Sequence, residues 1–149
     1  MSEHKARISW QRGEREFTYD AYSRDHTWHF DGGVVVAGSA AAAYLGNPKH
    51  VDPEEAFVAA VASCHMLTFL AIAARKRLVV ESYEDDAVGH LEKNADGKLA
   101  ITRVELLDLI RRGRLRAAEA DDRPQLHRQA HENCFIASSV RTEIEVGSA

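Results

Sequence analysis

Cysteine is scarce in this chain, with only Cys64 and Cys134 among 149 residues. Two cysteines cannot supply the ligands of an all-cysteine zinc site, and they are too few for the disulfide framework of a small secreted domain. The first residues also lack the apolar segment of a secretory signal. We therefore expect a cytoplasmic protein whose cysteines are reduced, and either catalytic or inert.

The chain also lacks an excess of positive charge, since its formal net charge is -4. Nucleic-acid binding depends largely on basic surfaces, so we expect no nucleic-acid partner. One basic run occurs at residues 111–116, without interleaved aromatic residues, and indicates a solvated loop or strand end.

No apolar run is long and uninterrupted enough to indicate a membrane span. The longest, at residues 56–74, contains Ser63, Cys64, His65 and Thr68, and it predicts a buried helix. We therefore expect no membrane partner.

The hydrophobic share of 45% is sufficient for a packed core, and the length fits a single domain over residues 1–149. The pattern of apolar residues and turn signals predicts an α+β fold with a largely antiparallel sheet. Strands are predicted at residues 7–10, 16–22, 26–30, 34–36, 79–92, 99–111 and 140–146, and helices at 52–77 and 127–137. The glycine-containing turns at 31–33 and 94–97 predict hairpins between the strands that flank them, and Pro124 suits the first turn of the second helix. The apolar residues of the strand at 99–111 do not follow a clean period, so the pattern does not define its end.

The start of the first helix has a clear signal. Asp52 is a favourable N-cap, Pro53 suits the first helical position, and Glu55 completes a capping pattern with Asp52. The helix is rich in alanine and apolar on most sides, so we expect most of it to be buried. A chain of this length has difficulty surrounding so long an apolar helix, which favours a dimer.

Cys64 lies midway along this helix, and a cysteine reacts as its thiolate. The ordinary thiol pKa is about 8.5, and apolar surroundings raise it further, so a reactive Cys64 needs a cation nearby. His65 points about 100° away on a helix. Arg24 is the most suggestive cation, and Glu54, in the first helical turn, is a candidate carboxylate to hold it.

Several segments resemble the OsmC-like, organic-hydroperoxide-resistance family. Asp52-Pro-Glu-Glu followed by Ala62-Ser-Cys-His-Met-Leu-Thr-Phe-Leu70 is similar to the catalytic helix of that family, and Ala130-His-Glu-Asn-Cys-Phe-Ile-Ala-Ser-Ser-Val140 to its resolving-cysteine helix. Tyr22–Gly33 and Val79–Leu91 resemble two further parts. The similarity covers nearly the whole chain.

The resemblance implies a cysteine peroxidase that forms an intertwined homodimer with two long central helices back to back and active sites at the interface. By motif, Cys64 is the peroxidatic thiol, Cys134 the resolving thiol, Arg24 the activating cation and Glu54 the carboxylate that orients it. Arg12 or Arg15 are alternatives to Arg24.

The implied substrates are organic hydroperoxides and hydrogen peroxide. The implied reductant is an external thiol or a lipoyl-type dithiol, with no bound cofactor.

Two other classes of function remain open. Cys64, His65, His131 and Cys134 have the side chains that zinc prefers, although neighbours on a helix do not easily aim at one ion. The same apolar pocket would also suit a non-catalytic dimer that binds a small apolar molecule or senses oxidants.

Overall fold

The structure, a computed structural model, describes residues 1–112 and 122–147. Most of the basic run at residues 111–116, which was predicted to be a loop or strand end, therefore lies outside the described residues. The chain divides into two compact units, Met1–Ala56 and Phe57–Ala149. One domain over residues 1–149 remains a prediction.

The first unit contains a three-stranded antiparallel sheet in the order β1-β2-β3. Its strands are β1 (Ala6–Ser9), β2 (His26–Phe30) and β3 (Val35–Gly38). The hairpin predicted between β2 and β3 is confirmed, with Gly33 at φ 84° in its turn, a conformation that glycine adopts without strain.

The strand predicted at residues 16–22 is wrong, because this segment folds into turns. The backbone N–H groups of Ala21 and Tyr22 both donate to the Thr18 carbonyl at 3.1 Å. The aromatic residues that suggested a strand instead contact one another, with the Phe17 ring centroid 5.9 Å from that of Trp10 and 5.5 Å from that of Tyr22.

Helix α1 (Pro53–Arg75) begins where the sequence predicts. The Asp52 N–H donates to Glu55 Oε2 at 3.1 Å, and the Glu55 N–H donates to Asp52 Oδ1 at 2.8 Å, a reciprocal capping box. The helix ends two residues before the predicted end at residue 77. Arg77 has a left-handed φ of 60°, and the Leu78 N–H donates back to the Ala73 carbonyl at 2.9 Å.

The prediction that most of α1 is buried is wrong for the described chain. Its buried residues are spaced four apart on a single stripe, and they are Val61, His65, Phe69 and Ala73. By length and composition alone the helix could cross a membrane, a test that core helices of soluble proteins also pass, and 22% of its apolar window is buried. The side of α1 opposite the buried stripe, its outer face, is therefore exposed in the single chain.

The second unit breaks each of its two long predicted strands in two. The observed strands are β4 (Val80–Asp85), β5 (Val88–Lys93), β6 (Leu99–Leu106) and β7 (Asp108–Arg112). β5 and β6 form the predicted hairpin, with Gly97 at φ 75° in its turn, while β4 pairs with β7 in a separate sheet. At the break, Asp85 Oδ1 accepts the Leu107 N–H at 2.8 Å.

Helix α2 (Arg123–Asn133) begins before the predicted residue 127, with Pro124 in its first turn as expected, and ends before residue 137. Cys134 is its C-cap, and a short 3-10 turn follows at Ala137–Ser139. The last strand, β8 (Glu143–Val146), pairs with β6 in parallel, so this sheet is mixed. The α+β class is confirmed.

Candidate functional site

The second unit brings the two cysteines together. Cys64 lies on α1 and is partly exposed, whereas Cys134 is 1% exposed at the end of α2. Burial raises the pKa of the Cys134 thiol, the neighbouring Cys64 thiol raises it further, and the Ala137 N–H, 3.4 Å from the sulfur, opposes the rise. Cys64 is therefore close enough to Cys134 to influence its ionisation. The pair therefore combines an accessible thiol with a buried, protonated one.

A groove of about 810 Å³ gives access to Cys64. One side is the outer face of α1, including Leu67, and the other is the C-terminal end of α2 with the residues after it. Phe135, next to Cys134, is 83% exposed. The apolar lining suits the alkyl part of a small molecule, with Arg75 and Glu132 as polar groups in the same groove.

Arg24 and Glu54 line one cavity of about 780 Å³ in the first unit. The Arg24 guanidinium donates to the carbonyls of Tyr22 at 2.7 Å and Tyr19 at 2.6 Å, and it lies 3.8 Å from the centroid of the Tyr22 ring. Within the described residues no ion pair joins Arg24 to Glu54. Backbone carbonyls and aromatic rings therefore hold this arginine in place.

Sequence reasoning missed a buried polar chain in the second unit. His65 Nε2 and His127 Nδ1 share a hydrogen bond at 3.0 Å, and the two ring planes are within 7° of parallel with centroids 5.3 Å apart. His127 Nε2 lies 3.3 Å from Asp108 Oδ2, and Arg123 Nη2 donates to the same oxygen at 3.2 Å. Asp108 and His65 are almost fully buried. The one signal in the sequence was the irregular apolar period of the strand that contains Asp108.

One member of the zinc set considered from sequence has a partner outside that set. The His65 Nε2 atom shares its hydrogen bond with His127. Across residues 1–112 and 122–147, no three His, Cys, Asp or Glu side chains are arranged to hold a metal ion.

Burial sets the protonation of the polar chain. It lowers the pKa of His65 to about 4, with the charge of His127 acting in the same direction and that of Asp108 opposing it. Burial alone would raise the pKa of Asp108, but hydrogen bonding and charge from His127, together with Arg123, lower it below its ordinary value. His65 is therefore neutral and Asp108 ionised at pH 7.

Comparison with known families identifies the fold. The model of the family described as OsmC-like protein matches residues 46–148. The chain belongs to the OsmC-like family. This confirms the resemblance first observed in the cysteine-containing segments.

Solved structures agree with the family assignment. An OsmC-like protein of unknown function from Vibrio cholerae is 47% identical, with a TM-score of 0.93 and 99% of each chain covered. An organic hydroperoxide resistance protein from Elizabethkingia anophelis is 19% identical, with a TM-score of 0.70, and 98% of this chain and 93% of that one are covered.

A third structure, an organic hydroperoxide resistance protein from Bacillus subtilis, is 20% identical, with a TM-score of 0.60, and 96% of this chain and 98% of that one are covered. At these lower identities the likeness establishes the shared fold. A comparison with curated protein sequences finds no match.

The buried His65 of this OsmC-like protein predicts a pH-dependent stability. The folded pKa is about 4 and the ordinary value 6.5, so the unfolded chain binds the proton first as the pH falls. The contribution is fully present above pH 6.5 and is lost as the pH falls from 6.5 towards 4, by about 3 kcal/mol at most.

Urea unfolding between pH 7.5 and 4.5 measures this effect. His65→Gln should have the smaller decrease in unfolding free energy over that range, because glutamine does not titrate. Equal slopes for the wild type and the variant would contradict a neutral, buried His65.

Proposed function

We propose that this OsmC-like protein is a cysteine-based peroxidase that reduces organic hydroperoxides to alcohols. The observation that supports it most is the thiol pair, because a partly exposed cysteine and a buried one, distant in sequence, are neighbours in the fold. The names of two structural relatives, organic hydroperoxide resistance proteins, agree with this function.

The first step takes place at Cys64. Its thiolate attacks one oxygen of the hydroperoxide, the O–O bond breaks, and the departing alkoxide takes a proton and leaves as the alcohol. Cys64 becomes a sulfenic acid. The apolar groove beside Cys64 favours substrates with an alkyl group, and hydrogen peroxide is a smaller second substrate.

The second step uses Cys134. Its sulfur attacks the Cys64 sulfur, a disulfide forms, and hydroxide leaves as water with the Cys134 proton. Two electrons and two protons from an external thiol or a lipoyl-type dithiol then restore both thiols. The proposed cycle uses no bound cofactor, and we place it in the cytoplasm, where such reductants keep thiols reduced.

Arg24 and Glu54 complete the proposed machinery. A guanidinium beside a thiolate lowers its pKa and can donate hydrogen bonds to the peroxide. In the first unit Arg24 already has a fixed geometry from the carbonyls of Tyr19 and Tyr22. Glu54 lines the same cavity and supplies a carboxylate that can orient the guanidinium.

We also propose a homodimer that uses the outer face of α1. This face carries small and apolar residues, and Leu67 on it is 60% exposed. Small side chains allow two helices to approach closely, and burial of the apolar outer face is favourable by roughly 25 cal/mol per Å².

The peroxidase proposal predicts the products of one turnover. Reduced wild type treated with one equivalent of cumene hydroperoxide should lose both free thiols and about 2 Da, since two hydrogens leave as the disulfide forms. Cys134→Ser should instead gain one oxygen on Cys64. Intact mass and a thiol count measure both results.

Unchanged thiols in both proteins over minutes would contradict the peroxidase and favour the non-catalytic binding dimer. A single oxidation that added thiol or dithiol does not reverse would favour the oxidant sensor.

The role of Arg24 predicts a kinetic effect. Arg24→Gln should slow the oxidation of Cys64 by at least about tenfold at pH 7, because the thiolate loses its cation and the peroxide loses a donor. Stopped-flow measurement at several pH values should show an apparent thiol pKa that is higher in the variant. Arg12→Gln and Arg15→Gln are the matched controls, and a larger loss in either would move the role to that arginine.

The dimer predicts a difference between two leucines of similar exposure. Leu67 on α1 and Leu99 on β6 are 60% and 58% exposed. Leu67→Glu should weaken the dimer at least tenfold, because a carboxylate would be buried in the interface, whereas Leu99→Glu should not. Light scattering over a dilution series measures both, and a monomeric wild type would exclude the interface.

A further inference from the structure

The buried polar chain joins the same two helices that carry the thiols. His65 follows Cys64 on α1, and His127 lies about two turns before Cys134 on α2. The hydrogen bond between them is 3.0 Å long, and both side chains are buried. The proposed reaction does not use either imidazole.

Apolar side chains also join these two helices. Phe69 and Ala73 on α1 belong to one buried cluster with Leu126 and Ala130 on α2. Apolar burial is strong but non-directional, so small shifts of one helix along the other cost little through these contacts alone. A hydrogen bond weakens steeply with distance and angle, and it therefore defines one relative position.

We propose that His65, His127 and Asp108 form a clamp that fixes α1 against α2 and so holds Cys64 within bonding reach of Cys134. They are positioning residues rather than catalytic ones. The inference rests on the redox pairing of the two thiols proposed above.

The buried end of the clamp is a carboxylate. Asp108 is 0% exposed, and His127 Nε2 lies 3.3 Å from one of its oxygens. At the other end of the clamp, His65 Nε2 and His127 Nδ1 share one hydrogen bond, in which one ring donates and the other accepts.

The orientation of the two imidazole rings and their packing also restrict their movement. The planes of His65 and His127 are within 7° of parallel, and the Phe69 ring centroid lies 4.7 Å from that of His127. Neither imidazole can rotate freely, so movement of α2 relative to α1 must break the hydrogen bond. The hydrogen bond therefore limits how far Cys64 and Cys134 can move apart.

Two substitutions at one position separate the hydrogen bond from packing. His65→Leu places an apolar side chain in the core, removes the hydrogen-bonding nitrogen and so breaks the contact with His127 Nδ1. His65→Gln keeps an amide that can donate or accept a hydrogen bond at a similar reach. Val61→Ala, one turn earlier on the buried stripe of α1, lowers stability without touching the clamp.

The measurement is the equilibrium between the dithiol and the Cys64–Cys134 disulfide. Each reduced protein is oxidised with diamide, which accepts two electrons and two protons from the thiols and becomes a hydrazine. It is then equilibrated in buffers of reduced and oxidised dithiothreitol, and free thiols are counted by mass after alkylation. The result reports how readily the two sulfurs meet.

His65→Leu should lower the equilibrium constant for disulfide formation at least tenfold, about 30 mV for a two-electron couple. His65→Gln should remain within about threefold of the wild type, and so should Val61→Ala despite its lower unfolding temperature. If His65→Leu does not fold, Asp108→Asn takes its place with the same expectation.

A wild-type equilibrium constant in the variant without the clamp would overturn the proposal. So would an equal decrease in Val61→Ala, since the effect would then follow stability alone. No peroxide enters this measurement, so a protein that fails to react with cumene hydroperoxide would contradict the peroxidase while leaving the clamp open to support or rejection.

Discussion

The packing of α1 against α2 determines whether two distant thiols can react with each other. Phe69 and Ala73 meet Leu126 and Ala130 in one apolar cluster, and burial of a side chain such as phenylalanine is favourable by about 2 kcal/mol. Cys64 lies on α1 and Cys134 is the C-cap of α2. A thiol is a weak hydrogen-bond donor, so the position of each thiol depends on the surrounding core.

The same contact also buries groups that are costly to remove from water. An imidazole pair and a carboxylate are tolerated because each is hydrogen-bonded or paired, and because His65 stays neutral. Asp108 can occupy its position because β6 ends at Leu106 and a separate strand begins at Asp108. In one continuous strand, successive side chains would alternate between the two faces of a single sheet. The break between β6 and β7 interrupts this alternation and so positions the Asp108 carboxylate.

The exposed outer face of α1 favours association with another chain. A helix that passes the composition test for a membrane span is only 22% buried over its apolar window, and such exposed apolar faces mark sites of association. The Cys64 thiol lines the groove on this side of the helix. The groove beside Cys64 and the proposed dimer interface use the same side of α1, so formation of the dimer would affect access to Cys64.

Local features were predictable from sequence because they depend on neighbouring residues. The capping box of Asp52 and Glu55, the turns at Gly33 and Gly97, and the helical position of Cys64 need no distant contact. The strand breaks, the parallel pairing of β8 with β6, the burial of Cys134 and the His65–His127–Asp108 chain were decided by tertiary structure alone. Each depends on segments far apart in sequence, whose side chains acquire partners and lose water only when the core has formed.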